Sequence, residues 1–399
     1  MKQYDIVTIG GGLGGAALAR TMAAKGASVL VLERTKEFRD RIRGEVLVPW
    51  GCREAMRLGL YDLLHGFANE MRYWEIWLDG FLALRQDLRT ESPLGLSMLC
   101  FYHPRMQDAV LPQAHAAGAE VRRGATVRSV RMGARPAVVF DEAGESHEVE
   151  ARLVVGADGR DSSVRKWCGF EERRDPERRF FAGVLIEEFP APVDVMAARF
   201  APSEGFMSWV FPQGAERARC YIGYHAKSGT RRLQGEGDMP RFIEHAVKLG
   251  VPAEWFANAK VGGPLATFDA TDNWVERPYR EGVALIGDAA ATSDPTWGQG
   301  LSQTLYDVRA LSERLLASAD WDAAGAAYAG DHAWCWEAQH TADTWFTDLL
   351  LEVGPEADAR RARALPLIAT DPTRMLNAPV SGPEYRPEEV VRRRFFGEE

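Results

Sequence analysis

Three glycines and one carboxylate near the N-terminus carry the first readable chemistry. Gly10, Gly12 and Gly15 stand at G-x-G-x-x-G spacing, and Glu33 follows 18 residues after the last of them. Gly10 permits a sharp turn out of a strand. Gly12 lets backbone approach a pyrophosphate with no Cβ in the way, and Gly15 lets a helix pack close on a sheet. Phosphates would sit on the free N–H groups of that helix, where its dipole favours negative charge. Glu33 could accept the two hydroxyls of an adenosine ribose. Two later stretches also place glycine and aspartate after an apolar run: GADGRDSSVR, Gly156 to Arg165, and LIGDAA, Leu285 to Ala290, with SDPTWGQG following from Ser293.

These residues need strands and helices to hold them. Ile6, Val7 and Ile9 read as a strand, Ala16 to Ala24 as a helix stopped by Gly26, and Val29 to Leu32 as a second strand. That is a βαβ unit in about thirty residues. Glu148 to Val155 and Val283 to Ile286 are apolar strands that run into the two later glycine-aspartate turns, the second followed by a helix from Leu301 to about Ser318. Helical patterns are also expected over 49–64, punctuated by Gly59, and over 105–117, entered through Pro104. Strands are expected at 119–130 and 137–140. Arg43 precedes the 49–64 helix in a charged loop, where an arginine ordinarily faces solvent but could swing onto a cofactor phosphate.

The middle of the chain changes character. Residues 73–84 alternate, with Trp74, Ile76 and Leu78 on one face and Tyr73, Glu75, Trp77 and Asp79 on the other, and Asp79-Gly80 signals a hairpin. Strands are expected at 182–188, 195–200, 205–211 and 219–225, with a helix near 240–248. The resulting expectation is an α/β protein with α+β insertions. A Rossmann-type βαβ domain comprises 1–72, 101–178 and 271–330, and an inserted antiparallel-sheet substrate domain comprises 73–100 and 179–270. Residues 331–399 form a helical C-terminal segment ending in a proline-containing, loosely structured tail.

The 399 residues are 46% apolar and 26% charged, with a net charge of −9, which argues against a general nucleic-acid binder. The five cysteines are scattered with no C-x-x-C pair, so neither a metal site nor a disulfide framework is expected. An N-terminus that enters a strand at once leaves no room for a signal peptide, and no apolar run is long enough to span a membrane. A cytoplasmic protein with reduced, buried thiols is the expectation.

Together the three motifs resemble the group A flavoprotein monooxygenases, the para-hydroxybenzoate hydroxylase family, over residues 4 to 320 in the same order. The resemblance implies FAD as cofactor and NAD(P)H as a transient co-substrate. Gly10, Gly12, Leu13, Gly14 and Gly15 would hold the pyrophosphate, and Glu33, with Arg34 beside it, the adenosine end. Gly287 and Asp288 would bond the ribityl chain. Pro295, Gly298, Gly300 and Leu301 would lie along the flavin ring, with backbone N–H groups near Gly300 and Leu301 stabilising reduced flavin. Arg43 and Arg105 match family arginines that contact FAD, and Asp158 sits where the Asp-Gly motif links the two cofactors. The implied reaction hydroxylates an aromatic or polycyclic phenolic molecule with O2 through a flavin C4a-hydroperoxide.

An apolar aromatic pocket would suit that chemistry, and Trp74, Trp77, Phe206, Trp209, Phe211 and Pro295 could supply it, although each is also an ordinary sheet-core residue. His225, Tyr224 and His103 are candidate bases by residue type. Arg34, Arg39 and Arg41, or Arg173, Arg174, Arg178 and Arg179, could meet a 2′-phosphate. The same fold hosts halogenases, whose W-x-W-x-I-P is here Met207-Ser208-Trp209-Val210-Phe211-Pro212. It also hosts geranylgeranyl-type reductases, which carry Tyr or Phe, then x-W-x-F-P; Trp209 to Pro212 match the latter half, and Met207 stands where the aromatic should be. An inert flavin-binding protein would keep all three motifs, whereas a simple NAD dehydrogenase would leave two of them unexplained.

Overall fold

The computed structural model describes residues 2–40, 42, 44–214 and 216–399. Its first sheet is parallel at the centre, in the strand order Val283–Leu285, Glu145–Gly156, Lys2–Ile9, Val29–Glu33, Glu120–Arg123, with Tyr279–Arg280 antiparallel at one edge. Helices cover this sheet, so its strands read as continuous apolar runs rather than alternating ones. Ile6, Val7 and Leu30 are all fully buried.

Register sets the geometry of the site. Ile9 lies beside Leu32 on one side and Gly156 on the other, and Gly156 lies beside Leu285. The parallel strands therefore end together, and the turns that follow emerge at one edge: Gly10, Glu33, Ala157-Asp158 and Gly287-Asp288. In open α/β sheets this carboxyl edge is where ligands bind.

The single strand expected over 119–130 is two strands. Gly124, at φ +80°, breaks it. Glu120–Arg123 joins the parallel sheet, and Thr126–Arg131 turns off into an antiparallel ladder with Ala137–Glu142.

A second sheet brings together distant parts of the chain. Its order is Lys260–Val261, Arg179–Glu187, Ala218–His225, Phe206–Pro212, Val195–Ala201, Tyr73–Leu78, Phe81–Asp87, and Ala266–Asp269 also pairs with Arg179–Glu187. The Tyr73–Leu78 strand runs parallel to Val195–Ala201, with Trp74 beside Met196. Asp79 and Gly80 take φ +48° and +84°, the left-handed pair that closes a two-residue hairpin. A small three-stranded sheet of Val46–Leu47, Met98–Cys100 and Asn69–Met71 was not anticipated from the sequence, and Asn69 Nδ2 donates from it to the Pro212 carbonyl of the second sheet at 2.8 Å.

Helices Gly300–Ala317, Trp321–Leu350 and Pro355–Thr370 follow. The tail corrects the sequence expectation of a loose end. Short helices span Ala378–Ser381 and Glu389–Phe395, and Phe395 is fully buried, with its ring 5.4 Å from that of Phe346. Gly382 packs so tightly on Trp50 that a Cβ would come within 2.7 Å of the indole. Proline content suggested disorder, but two of those prolines open short helical turns, where a missing N–H costs nothing.

Candidate functional site

The nucleotide edge is built by leaving out side chains. A Cβ on Gly15 would lie 1.9 Å from the Gly10 carbonyl oxygen, and one on Gly10, at φ +106°, would lie 2.3 Å from that of Ala157. Helix Leu13–Ala23 starts at Gly12 with no side-chain cap and no acid in its first turn. Its leading N–H groups are therefore available to an anion. Gly14 packs against Thr304, bringing this helix onto Gly300–Ala317. Glu33 is buried at the next strand end. Its Oε2 accepts from Gly11 N at 2.7 Å, and its Oε1 accepts from Thr35 N at 2.7 Å. Oε1 also accepts from Thr35 Oγ1 at 2.7 Å, so Oε2 is the oxygen that keeps a lone pair for a ribose hydroxyl.

Asp158 works within its own turn, accepting from Ser162 Oγ at 2.6 Å and Ser163 N at 2.7 Å to start helix Ser163–Trp167. Arg165, only 3% exposed, donates to the Ala289 carbonyl at 3.1 Å, tying this turn to the Gly287-Asp288 turn. Gly287 N in turn donates to Asp307 Oδ2 at 2.9 Å, and buried Asp307 is held by His332 Nδ1 at 2.8 Å and Gln303 Nε2 at 3.1 Å. Asp288 is half-buried, with Oδ1 3.9 Å from the Cβ position of Gly300. The helix that starts at Gly300 also lacks a side-chain cap.

Between them, Pro295–Trp297 form one turn closed by Asp294, which accepts from Thr296 N at 2.9 Å and pairs with buried Arg179. Asp272 Oδ1 accepts from Asp294 N at 2.6 Å, and burial, then the neighbouring Asp294 charge, push the Asp272 carboxyl up to about 7. Burial, then the Asp272 and Asp294 charges, hold Asp343 well above the usual carboxylate range. Gln299 Oε1 accepts from Trp50 Nε1 at 2.8 Å.

These observations fit FAD: a side-chain-free cradle, an uncapped helix for the pyrophosphate, a ribose carboxylate and a second uncapped helix beside Asp288. The arginines are less direct. Arg43 and Arg41 lie outside the described residues. Arg34 is exposed, and so is Arg105, whose guanidinium stacks 5.6 Å from Phe67. The polar group that does face the glycine turn is Gln107, with Nε2 3.6 Å from the Gly12 Cβ position. It was not singled out from the sequence, although it sits on the expected helix two residues after Arg105. Arg179 is consumed by Asp294 and cannot meet a 2′-phosphate; Arg173, Arg174 and Arg178 each pair with a carboxylate.

A narrow apolar cavity lies between the second sheet and the 295–298 turn. Trp74, Met196, Trp209 and Phe211 line it from the sheet, Thr296, Trp297 and Gly298 from the turn, with Val46, Val48, Met98 and Pro379 around them. Strand periodicity sorts the expected pocket residues. Ile76, Ala198, Trp209 and Tyr221 form one row across the cavity face. Trp77 pairs with Arg199 and Phe206 with Tyr224, one residue out of phase, so both face away from the cavity. Phe206 stacks on His245 at 5.1 Å, and Trp77 donates to Glu75 Oε2 at 2.9 Å. Pro295 opens the turn without lining the cavity.

The candidate bases are displaced too. Tyr224 is on the far face, donating to the Arg231 carbonyl at 3.3 Å. Buried His225 accepts from Lys227 N at 3.1 Å, and burial, only partly offset by Glu352, lowers its pKa. His103 lies 3.2 Å from the Gly44 carbonyl. None of the three lines the cavity. The tyrosine on the cavity face is Tyr221, edge-on to Phe211 at 5.9 Å. Its hydroxyl donates to buried Glu45 Oε2 at 2.7 Å, Glu45 faces fully buried Arg219 at 3.2 Å, and Arg219 reaches Asp40 at 2.6 Å. Burial, then Glu45, hold the Tyr221 phenol well above its ordinary range. Parity could have found it: Tyr221 shares its face with Trp209, and Tyr224 does not.

Comparison with known proteins agrees with this geometry. A family model described as "FAD binding domain" matches residues 3–326. The digeranylgeranylglycerophospholipid reductase of Methanosphaerula palustris is 28% identical over 78% of this chain and 76% of its own length. Digeranylgeranylglycerophospholipid reductase 2 of Methanothermobacter thermautotrophicus is 30% identical over 75% of this chain and 74% of its own. Among solved structures, p-nitrophenol 4-monooxygenase of Pseudomonas putida DLL-E4 superposes with a TM-score of 0.77 at 19% identity, covering 100% of this chain and 98% of that one, which is a likeness of fold.

Proposed function

The chain belongs to the FAD binding domain family, and we propose that it is a para-hydroxybenzoate hydroxylase-like FAD monooxygenase that uses NAD(P)H and O2 to hydroxylate an aromatic or phenolic small molecule. The observation that carries the proposal is the apolar cavity that sets Trp74, Trp209 and Phe211 against the Thr296–Gly298 turn. Bound FAD supplies the redox chemistry, taking two electrons from the nicotinamide and delivering one atom of O2.

The protein's part is to bind, orient and keep dry. Gly10, Gly12, Gly15, Glu33 and Asp288 would hold the cofactor. The uncapped N-terminus of Gly300–Ala317 would offer N–H groups to negative charge on the reduced ring. Apolar walls exclude water that would intercept a reactive oxygen species, and flat indoles orient a ring. Behind Phe211, Tyr221 would accept a phenolic proton as its own passes to Glu45, whose carboxylate Arg219 holds in place.

A second reading is a reductase of isoprenoid double bonds. It is favoured by the names of the sequence relatives and by the W-x-F-P string, whose Trp209 and Phe211 both line the cavity. A halogenase is less favoured, because Met207 and Phe211 stand at two positions of its motif. The experiment that separates them supplies the flavin-loaded protein with NADPH, 18O2 and a phenol panel led by 4-nitrophenol, and in parallel with geranylgeranyl diphosphate. Labelled oxygen in a phenolic product is the expected result. A saturated prenyl product formed without oxygen uptake would replace the proposal with the reductase.

A further inference from the structure

Asp175, Asp272 and His340 come from three separate stretches and meet beside the 294–298 turn. Arg174 pairs with Asn273 in a short antiparallel ladder, and Asp175 N donates to the Asp272 carbonyl at 3.1 Å, so the two carboxylates leave neighbouring chain segments. His340 reaches them from helix Trp321–Leu350, with Nε2 2.8 Å from Asp175 Oδ2. Trp274 and Trp336 pack on its ring at 4.9 and 5.4 Å and fix its direction. One oxygen of each carboxylate and one imidazole nitrogen all lie within 4.8 Å of one another.

A buried carboxylate behind this group has no partner. Asp343 is 4% exposed, and among the described residues its Oδ1 meets no donor. It stands three residues after His340, on the same side of the helix. Burial, then the charges of Asp272 and Asp294, act on its carboxyl, so it faces the cluster. The cation at hand is Arg179, and Asp294 takes it. Carboxylates removed from water need donors or counter-charge, and this group is short of positive charge.

We propose that Asp175, Asp272 and His340 bind a divalent transition-metal ion, Zn2+ being the best fit, with Asp343 adding negative charge behind them. Zinc takes imidazole nitrogen and carboxylate oxygen at about 2.0–2.2 Å, which sets ligand atoms about 3–4 Å apart. Mg2+ prefers an all-oxygen, near-octahedral shell and suits an imidazole poorly. The side chains of Asp175 and His340 are 36% and 23% exposed, which gives an ion and its remaining water a way in. Asp272 also accepts from Asp294 N at 2.6 Å, so the ion would brace the turn that carries Thr296 to Gly298. Ion and proton exclude each other on Asp272, and stripping with EDTA leaves the proton. No spacing in the sequence announces the set, because its members stand at 175, 272 and 340 and none is a cysteine.

The test uses the untagged, FAD-loaded full chain, stripped with EDTA and titrated with Zn2+ by calorimetry near pH 7.5. One equivalent should bind, with a dissociation constant of about 1 µM or tighter, and Mg2+ should bind at least about 100-fold more weakly. Asp175→Asn and His340→Gln should each lose about tenfold or more in Zn2+ affinity. Glu276→Gln, at an exposed acid that pairs with Arg173, should lose nothing. Saturating Zn2+ should raise the melting temperature of wild type by about 3–5 °C and leave the two ligand variants nearly unmoved. Retained FAD reports that each variant is folded, and if one of the two fails to fold the other decides. Binding that never saturates, equal Zn2+ affinity in wild type and the ligand variants, or Mg2+ held as tightly as Zn2+ would overturn the inference. None of these results depends on which reaction the cavity serves.

Discussion

Gly10, Gly12 and Gly15 serve the nucleotide edge by having no side chains, whereas Trp74, Trp209 and Trp297 serve the cavity with the largest ones. At the edge the contacts are backbone: helix N–H groups, a carbonyl 1.9 Å from a missing Cβ, and strand ends held in register. Its buried acids Glu33 and Asp307 already have protein partners. At the cavity the contacts are side chains from seven separate stretches, and three donors have no partner among the described residues. The difference follows from what each must do. A dinucleotide is the same molecule in every relative, so a fixed backbone shape can hold it. The molecules named for the relatives differ, and side chains on a rigid sheet can change without disturbing the strands beneath.

The largest expected effect breaks the edge alone. Gly15→Val would drive its side chain into the Gly10 carbonyl. The protein should purify colourless, with FAD affinity down at least about 100-fold, while circular dichroism still reports the second sheet. Retention of flavin by this variant would show that the close approach is not needed. Next, Asp288→Ala should weaken FAD by roughly tenfold, the loss of a charged hydrogen-bonding group, measured as the ratio of flavin to protein absorbance. A fully flavinated variant would contradict the role proposed for Asp288.

These two effects concern residues that could be chosen from the sequence, because a glycine turn is written in consecutive residues. The cavity was only half legible for a physical reason. Alternation along 73–78 already set Trp74 and Trp77 on opposite faces, and the 206–211 strand likewise separates Phe206 from Trp209 and Phe211. A pocket on one face could not hold all of them. What alternation could not supply was the opposite wall. Trp297 lay unremarked within the flavin turn. Val46, Met98 and Pro379 arrive through a three-stranded sheet and a packed C-terminal tail that no local pattern announces. Tyr221 was passed over for Tyr224 through one step of parity.

A smaller effect tests whether the buried chain behind Phe211 belongs to the chemistry of the cavity or only to its walls. Tyr221→Phe removes the hydroxyl that donates to Glu45, and stability should drop by about 1 kcal/mol. If the chain carries the phenolic proton, turnover should fall roughly fivefold below the pKa of the substrate phenol and recover above it, where no proton has to leave. A uniform loss at every pH would make Tyr221 a structural residue and remove the proposed route.

The smallest effect lies at the turn that the edge and the cavity share. Asp272 faces Asp294 in the turn, Asp343 and His340 on helix Trp321–Leu350, and Asp175, with Arg179 the nearby cation that pairs with Asp294. A carboxyl whose ordinary pKa is about 4 is pushed up to about 7 when folded, chiefly by burial. Between those values the native state holds a proton that the unfolded chain has lost. Stability therefore falls as pH rises through that window and levels off above it. Asp272→Asn keeps an oxygen to accept from Asp294 N and fixes the uncharged state. Its melting temperature should match wild type at or below about pH 4, where Asp272 is uncharged in both states, and exceed it by a few degrees, roughly 2–5 °C, near pH 8. Parallel curves would mean that Asp272 is charged throughout and that Arg179 neutralises the cluster as a whole. A widening gap would mean that the 294–298 turn rests on a proton, and that alkaline pH loosens the turn shared by the nucleotide edge and the cavity.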